Sequence, residues 1–245
     1  MIIYFKRINV MVKCICLFGG FMKNIGIIFA MEEEINTFFK YTKIKKEYKF
    51  YDVLVYECEV GKYNCFMLTS GVGKVNASRS SQILLDNFDI DFVFNIGVAG
   101  GTNDKLNILD IVASDKLVQY DFDITAFNHD MGYIPNIGVY INGDRNMLKY
   151  VKDNYDVKIG NIASADRFLT NDEISKKLYR DFNAYAVEME GASIAQVCYL
   201  CNKPFIVIRC ISDIPGDNNK INYEEFLESS SDKVSKLLYD VLIKY

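Results

Sequence analysis

Tryptophan is absent from this chain, histidine occurs once and proline three times in 245 residues. A single histidine argues against a zinc site, because zinc ligand sets draw on pairs of histidine and cysteine. No serine-rich, glycine-rich or charged run offers a linker between two domains. Half of the residues are apolar, which suffices for one sizeable core. We therefore expect a single folded domain.

Basic residues are not in excess either, since 28 lysines and arginines face 32 acids, for a formal net charge of −4. The lysines are scattered rather than gathered in a stripe, so the chain carries no electrostatic footprint for nucleic acid. An apolar run from Val10 to Phe21 contains a lysine and is too short to span a bilayer. We expect a small-molecule ligand and a second copy of the chain as partners, without nucleic acid or membrane.

The seven cysteines are odd in number and irregularly spaced, which excludes a disulfide framework. Cys198 and Cys201 have CxxC spacing, but no second pair accompanies them. They are interpreted as two thiols one turn apart on a buried helix. This usage of cysteine fits a reducing cytoplasm.

The first 21 residues combine a basic start with an apolar middle, as a signal peptide does, but no small-residue cleavage site follows. Met22 then opens "MKNIGIIFAMEEE", which looks like a natural beginning. We expect residues 1–21 to be an extension outside the fold and residues 22–245 to form the domain.

Short apolar runs alternate with amphipathic helical patterns along the rest of the chain. This alternation predicts an α/β domain with a central twisted, mixed but largely parallel sheet flanked by helices. The predicted strands are Ile25–Phe29, Val53–Glu59, Tyr63–Leu68, Phe92–Ile96, Ile111–Ala113, Ile159–Ser164, Ala184–Val187 and Phe205–Cys210. The predicted helices are Glu32–Lys40, Lys74–Asn87, Arg145–Asp153, Asp172–Arg180, Ala192–Cys201 and Tyr223–Ile243. Gly61 and Lys62 join the second and third strands as a hairpin.

Glycine- or acid-bearing junctions follow five of these strands. In sheets of this kind the ligand sits where strands end and loops begin, so the junctions predict a pocket. They are Ala30–Glu34, Ser70–Lys74, Gly97–Gly101, Glu188–Gly191 and the stretch "ISDIPGD" from Ile211. The loops "SGVGK" and "GVAGG" could cradle a phosphate, but neither matches a known phosphate fingerprint, and tight turns explain them equally well.

Three acids, Glu34, Glu190 and Asp213, each follow a predicted strand and could face one crevice, braced by Arg209. General acid–base catalysis needs such groups beside a reacting bond, in environments that separate their pKa values. Each acid taken singly could instead cap a helix or occupy its first turn. Three together at strand ends favour a catalytic site.

Five segments, "IGIIFAMEEE", "SGVGKVNA", "FDITAF", "AVEMEGASIAQVCYLCNKPFIVIRCISD" and "YEEF", closely resemble the 5′-methylthioadenosine/S-adenosylhomocysteine nucleosidases of the purine nucleoside phosphorylase-like family. The resemblance runs from about Met22 to the C-terminus, with long motifs in order. It implies hydrolysis of the bond between adenine and the ribosyl carbon, with release of a 5-thioribose product. It implies no cofactor and no metal.

The resemblance also implies the catalytic roles. Asp213 would be the general acid that protonates nitrogen 7 of the purine, and Ser212 would orient it. Glu34 would be the base that activates the attacking water. Arg209 would hold the water and Glu34 in place.

The same resemblance implies the substrate contacts. Glu190 would accept both ribose hydroxyls, and Met189 would pack under the sugar. Phe168 and Leu169 would stack on adenine and read its edge through backbone groups.

Four further residues complete the implied pocket. Val72 and Tyr223 would close its apolar surroundings. Phe127 and Pro135 would reach across a homodimer interface to line the neighbour's pocket for the 5′-thio group. Glu188 has no comparable role in the resemblance and is interpreted as structural.

Related phosphorylases bind phosphate with an arginine and a hydroxyl residue near "GVAGG", where this chain has Asn95 and Val98. Water is therefore the expected nucleophile, although Val98 replaces a serine that many nucleosidases use on that water. Leu109 replaces an expected glycine. An aminodeoxyfutalosine or other adenosine-type nucleosidase stays an alternative, as does a non-catalytic nucleoside-binding protein, which the three intact acids argue against.

Overall fold

The computed structural model of the chain describes residues 23–216 and 219–245. The predicted extension at residues 1–21 lies outside the described residues. The strands are β1 (Asn24–Phe29), β2 (Ile44–Phe50), β3 (Val53–Val60), β4 (Tyr63–Thr69), β5 (Phe92–Gly101), β6 (Ile111–Gln119), β7 (Ile141–Asn142), β8 (Lys158–Ser164), β9 (Ala184–Glu188) and β10 (Phe205–Asp213). The helices are α1 (Glu32–Phe39), α2 (Lys74–Asn87), α3 (Arg145–Asn154), α4 (Asp172–Phe182), α5 (Gly191–Leu200) and α6 (Asn219–Lys244).

A single mixed sheet runs through the domain and closes partly on itself. Strand β5 lies parallel to β1 and to β10, while β6 and β8 are parallel neighbours on the far side of β10. The circuit closes because β9 pairs with β8 and also with the last residues of β5. On the other side, β4, β3 and β2 extend the sheet beyond β1, with β3 antiparallel to both of its neighbours. The predicted α/β class with a mixed sheet is confirmed.

Strand β1 is buried on both faces, as expected of a strand inside a parallel sheet. Ile27 and Phe29 join the core on one face, and Ile28 joins the core on the other. Helix α6 covers the first face with residues at helical spacing, among them Val234, Leu238 and Val241. Helices α2 and α5 cover the second. The two cores hold the strand ends of β1, β5 and β10 side by side.

The structure corrects several predicted elements. Strand β2 is missed because it is largely exposed and rich in lysine at the sheet edge, so it has no apolar alternation. Strand β6 continues through Asp115 and Lys116, two charged residues that interrupt its apolar pattern. Strand β5 extends through the glycine-rich stretch expected to be a phosphate-binding loop or a tight turn, and α6 begins four residues before its predicted start at Tyr223.

One predicted turn and one departure from the resemblance can be compared with the structure. The hairpin between β3 and β4 is confirmed, with Gly61 at φ 59°. Leu109 adopts φ 73°, the left-handed region that favours glycine, so the conformation that a glycine would supply is present without one. Among the described residues, no helix is both long and apolar enough to cross a membrane.

Candidate active site

A cavity of about 200 Å³ opens at the carboxyl ends of β1, β5, β9 and β10. All five predicted junctions contribute to its wall. The lining residues are Ala30, Met31, Glu34, Val72, Val98, Ala99, Gly100, Phe168, Val187, Glu188, Met189, Glu190, Ser212, Asp213 and Tyr223. Eight of the twelve residues that the sequence proposed for the site therefore meet around one space.

Glu34 lies at the bottom of this cavity and is almost fully buried. Its carboxylate accepts hydrogen bonds from the backbone N–H groups of Ala30 (2.8 Å), Met31 (3.1 Å) and Val98 (2.9 Å). Burial raises the pKa of Glu34, while the charge of Arg209 and the three N–H donors oppose the rise. Glu34 also occupies the first turn of α1, so the capping interpretation describes its position as well.

Gly97 in β5 makes room for that carboxylate. A Cβ atom at this position would stand 2.4 Å from Oε1 of Glu34, closer than side-chain carbons are found. Gly100 plays the same part for Asp213, where a Cβ would stand 3.2 Å from Oδ2. The "GVAGG" stretch thus admits two carboxylates close to the strand.

Asp213 is the last residue of β10 and is almost fully buried. The hydroxyl of Ser212 donates to its Oδ1 at 2.8 Å, which fixes the carboxyl plane toward the cavity. Because Asp213 ends a strand rather than beginning a helix, helix capping does not account for its presence.

Glu190 enters the cavity from the start of α5. Its Oε1 accepts a hydrogen bond of 2.7 Å from the N–H of Gly73, a residue at φ 97° in the "SGVGK" loop. Burial raises the pKa of Glu190, and the neighbouring charge of Glu188 raises it further. The glycine loop therefore offers its amide to a carboxylate of the protein itself.

Arg209 is buried next to the cavity and is hydrogen-bonded to other groups of the protein. Its Nη2 donates to Oε2 of Glu188 and to Oδ1 of Asn95, each at 2.6 Å, and its Nη1 donates to backbone oxygens of Asn95 and Ile208. These hydrogen bonds engage both terminal nitrogens of Arg209. Its interaction with Glu34 is the electrostatic effect of its positive charge. No hydrogen bond joins Arg209 to Glu34 among the described residues, and the role implied for Arg209, to hold the attacking water and Glu34 in place, stays a prediction.

Aromatic and apolar residues form the outer wall. The rings of Phe168 and Tyr223 meet edge to face with centroids 5.5 Å apart, and the Tyr223 hydroxyl contacts Sδ of Met31 at 3.3 Å. Val72 is 46% exposed and lies at the rim. Leu169 is buried and lines a smaller adjoining space of about 30 Å³ that also touches Phe168.

Phe127 and Pro135 do not reach the cavity of their own chain. Phe127 ends a short 3-10 turn (Thr125–Phe127) and is 74% exposed, and Pro135 is exposed nearby. Ile134 between them is buried, so only part of this apolar loop folds back on its own core.

Sequence reasoning gave no site role to Glu188 and did not consider Ser164, although both lie at strand ends. Glu188 lines the cavity and is the ion-pair partner of Arg209. The available signal was a buried acid at the end of β9, in the same motif as Glu190. The role of Glu188 depends on which cationic side chain the fold places next to it, and no local sequence pattern shows that.

The cavity lies at the strand ends of an α/β sheet and is lined by buried acids and by aromatic residues. These features define a protein that binds a small organic ligand. A family model described as the Phosphorylase superfamily matches residues 24–243, and the chain belongs to this superfamily.

Within the superfamily, the chain is similar to 5′-methylthioadenosine/S-adenosylhomocysteine nucleosidases. It is 38% identical over 219 residues to that of Bacillus licheniformis, covering 84% of this chain and 93% of the relative. It is 35% identical to that of Staphylococcus haemolyticus, covering 90% and 99%.

Solved structures of nucleosidases are also similar to this chain. A Helicobacter pylori 5′-methylthioadenosine/S-adenosylhomocysteine nucleosidase superposes with a TM-score of 0.87 at 30% identity, covering 91% of this chain and 99% of that one. A putative nucleosidase from Borrelia burgdorferi bound to adenine gives 0.83 at 36% identity, covering 89% and 98%. A Helicobacter pylori structure described as futalosine hydrolase gives 0.88 at 30% identity, covering 91% and 99%.

Proposed function

We propose that this protein is an N-glycosyl hydrolase that cleaves 5′-methylthioadenosine and S-adenosylhomocysteine, and 5′-deoxyadenosine as well, to adenine and the free sugar. The observation that carries the proposal is the meeting of Glu34, Glu190 and Asp213 around one cavity. Similarity to the named nucleosidases over most of the chain supports the choice of substrates.

Asp213 acts as the general acid. An adenine anion is a poor leaving group, so a proton must reach the purine as the glycosidic bond breaks. The hydrogen bond from Ser212 leaves the carboxyl group oriented toward the cavity, where the ring nitrogen would lie.

Glu34 acts as the base for the attacking water. Its raised pKa, caused by burial, makes it a stronger base than a solvated carboxylate. The three backbone N–H donors keep it fixed, and the nearby charge of Arg209 helps to keep it ionised.

Glu190 accepts the ribose hydroxyls, with Met189 beside it under the sugar. Its carboxylate is costly to bury, and the hydrogen bond from the Gly73 amide offsets only part of that cost. Two hydroxyl donors from the sugar offset more of it, so part of the binding energy comes from stabilising the ionised form of Glu190.

Water rather than phosphate is the nucleophile. Among the described residues that line the cavity, none is a lysine or an arginine, whereas Glu34, Glu188, Glu190 and Asp213 are all acids. Asn95 is occupied, since its amide donates to the Ile28 carbonyl at 2.9 Å and accepts from Arg209. A phosphate dianion would face these acids with no cationic side chain in the lining to neutralise it.

The proposed unit is a homodimer in the cytoplasm. Phe127 and Pro135 are exposed and apolar, which fits residues that complete the pocket of a second copy. The described cysteines are all free thiols, which is compatible with a reducing compartment.

Aminodeoxyfutalosine hydrolysis is a second candidate, favoured by the likeness to the structure described as futalosine hydrolase. Both substrates share the adenine and ribose moieties and differ only in the 5′ group. The same acids would serve both reactions.

The test is adenine release from each nucleoside, measured in buffers with and without phosphate. We expect release to be independent of phosphate, a free reducing sugar as product, and Asp213→Asn to lower turnover by roughly 10²–10⁴-fold while substrate still binds. A sugar 1-phosphate product would place the protein among the phosphorylases. Near-normal turnover in the variant would remove Asp213 from the acid role.

A further inference from the structure

Glu188 is held by hydrogen bonds to both of its carboxylate oxygens in the cavity wall. Its Oε2 accepts hydrogen bonds from the N–H of Glu190 (3.1 Å), the N–H of Gly191 (2.7 Å) and Nη2 of Arg209 (2.6 Å). Its Oε1 accepts from the hydroxyl of Ser164. The side chains of Glu188 and Arg209 are each at most 3% exposed, so the ion pair is shielded from solvent.

These contacts go beyond capping a helix. The hydroxyl of Ser164 already accepts the N–H of Ala192 in the first turn of α5 at 2.7 Å. A neutral side chain could accept the other two backbone amides of that turn. The additional feature of Glu188 is its charge, which is paired with the guanidinium whose charge acts on Glu34 from beneath the cavity.

We propose that Glu188 is a positioning residue for the proposed hydrolysis, which holds Arg209 against Asn95 and away from Glu34 and fixes the turn from which Glu190 enters the cavity. The proposal rests on the proposed function for its catalytic meaning. The Glu188–Arg209 contact itself stands on geometry.

The direction of the electrostatic effect follows from the groups that face the cavity. Glu34 comes from α1, Glu188 from the end of β9, Glu190 from the position just before α5, and Arg209 and Asp213 from β10. The hydroxyl of Tyr223 faces them from α6. If Glu188 loses its charge, the positive charge of Arg209 acts on Glu34 and Glu190 without compensation.

Uncompensated positive charge lowers the pKa of a carboxyl group. Both Glu34 and Glu190 must be ionised for the proposed reaction, so kcat/KM rises with pH as they lose their protons. Removing the Glu188 charge therefore moves this acidic limb to lower pH. It also weakens Glu34 as a base and frees the Arg209 side chain to rotate toward it.

The experiment compares Glu188→Gln with Glu188→Asp. Glutamine keeps the shape and can still accept from the backbone amides, but it removes the charge; aspartate keeps the charge on a shorter stem. We expect Glu188→Gln to lower kcat/KM by about 10-fold or more and to shift its acidic limb down by on the order of one pH unit. Glu188→Asp should retain the wild-type limb.

Ser164→Ala is the matched control. It removes one hydrogen bond from Glu188 and leaves its charge, so a change that merely loosens the turn should lower thermal stability without moving the limb. A folded Glu188→Gln protein whose limb coincides with that of the wild type would overturn the proposal. The proposal also fails if Ser164→Ala moves the limb as far as Glu188→Gln does.

A readout without turnover separates this proposal from the proposed function. Carboxyl resonances of protein labelled with ¹³C-glutamate report the titration of Glu190, assigned by its loss in Glu190→Gln. Glu188→Gln should lower that titration midpoint even if the wild type releases no adenine, an outcome that would contradict the proposed function alone. An unmoved midpoint would contradict the positioning role.

Discussion

At the scale of single residues, three cavity carboxylates accept hydrogen bonds from different kinds of donor. Glu34 accepts three backbone amides, Asp213 accepts the Ser212 hydroxyl, and Glu190 accepts the Gly73 amide while lying beside Glu188. Glu190 combines burial and a neighbouring negative charge with a hydrogen bond from one backbone amide. It carries the clearest cost to folding in the absence of ligand.

The sign of this cost can be measured with Glu190→Gln. Below about 4.5, the ordinary pKa of the side chain, Glu190 is protonated in both the folded and the unfolded chain. As the pH rises above that value, the unfolded chain releases its proton first, because burial raises the folded pKa. The free energy of unfolding of the wild type therefore falls until the pH exceeds the folded pKa.

Glutamine does not titrate, so the free energy of unfolding of Glu190→Gln does not fall for this reason. Relative to the wild type, its free energy of unfolding should rise by at least about 1 kcal/mol between pH 4.5 and pH 8, since one pKa unit corresponds to about 1.4 kcal/mol. Urea unfolding at both pH values measures the difference. A stability difference that stays constant with pH would refute the burial cost.

At the scale of elements, β5 organises the site because its backbone approaches two acids. The strand lies between β1, which leads to Glu34, and β10, which ends at Asp213. Its glycines at 97 and 100 leave out the Cβ atoms that would collide with or crowd these carboxylates. A Cβ at position 97 would displace Glu34, whereas a Cβ at position 100 would crowd Asp213 by a few tenths of an ångström.

Gly97→Ala tests this arrangement. The added Cβ would meet Oε1 of Glu34 at 2.4 Å, so the carboxylate must leave the Val98 amide. We expect adenine release to fall by about 10²-fold, because an ångström-scale displacement of a catalytic group has that effect. Overpacking should also lower the free energy of unfolding by roughly 1–3 kcal/mol.

Gly138→Ala is the control for this variant. A Cβ there meets nothing within 4 Å, but the backbone at φ 104° is unfavourable for alanine. It should therefore cost stability through the backbone, about 1–2 kcal/mol, and lower adenine release far less than Gly97→Ala does. Equal activity of the two variants would mean that Glu34 tolerates the crowding.

At the scale of the whole molecule, the fold extends from β1 to α6, and the superfamily match covers nearly the same span, residues 24–243. β1 lies between β4 and β5 and is buried on both faces. A protein beginning at Met22 therefore keeps every described strand and helix.

We expect that protein, with residues 1–21 removed, to show the same thermal midpoint and the same rate of adenine release as the full chain. Circular dichroism melting and the adenine assay check this. An insoluble or inactive product would make the first 21 residues part of the domain.

The exposed apolar loop gives the second prediction at this scale. If Phe127 lines a partner's pocket, Phe127→Ala removes apolar contact with the 5′-thio group and should weaken binding by about 1–3 kcal/mol. The Michaelis constant should rise far more for 5′-methylthioadenosine than for adenosine, which has no thioether to bury. Equal losses for both substrates, or a fully active monomer by light scattering, would contradict the placement.

The sequence by itself determined the alternation of strands and helices, and through contiguous motifs it pointed to eight residues that now share one cavity. Periodicity and motif order are local properties, so they can be read along the chain. The exposed edge strand β2 and the charged middle of β6 escaped because neither shows the apolar period that such reading depends on.

Only the tertiary structure decided how the acids are held. Arg209 meets Asn95 across 114 positions of sequence, and Glu34 meets the amide of Val98 across 64. The resemblance implied a role for Arg209 beside Glu34 and gave Glu188 none, whereas the fold places Glu188 in an ion pair with Arg209. A buried cation takes the partner whose distance and orientation the surrounding packing fixes, and those quantities arise only when β5, β9 and β10 lie side by side.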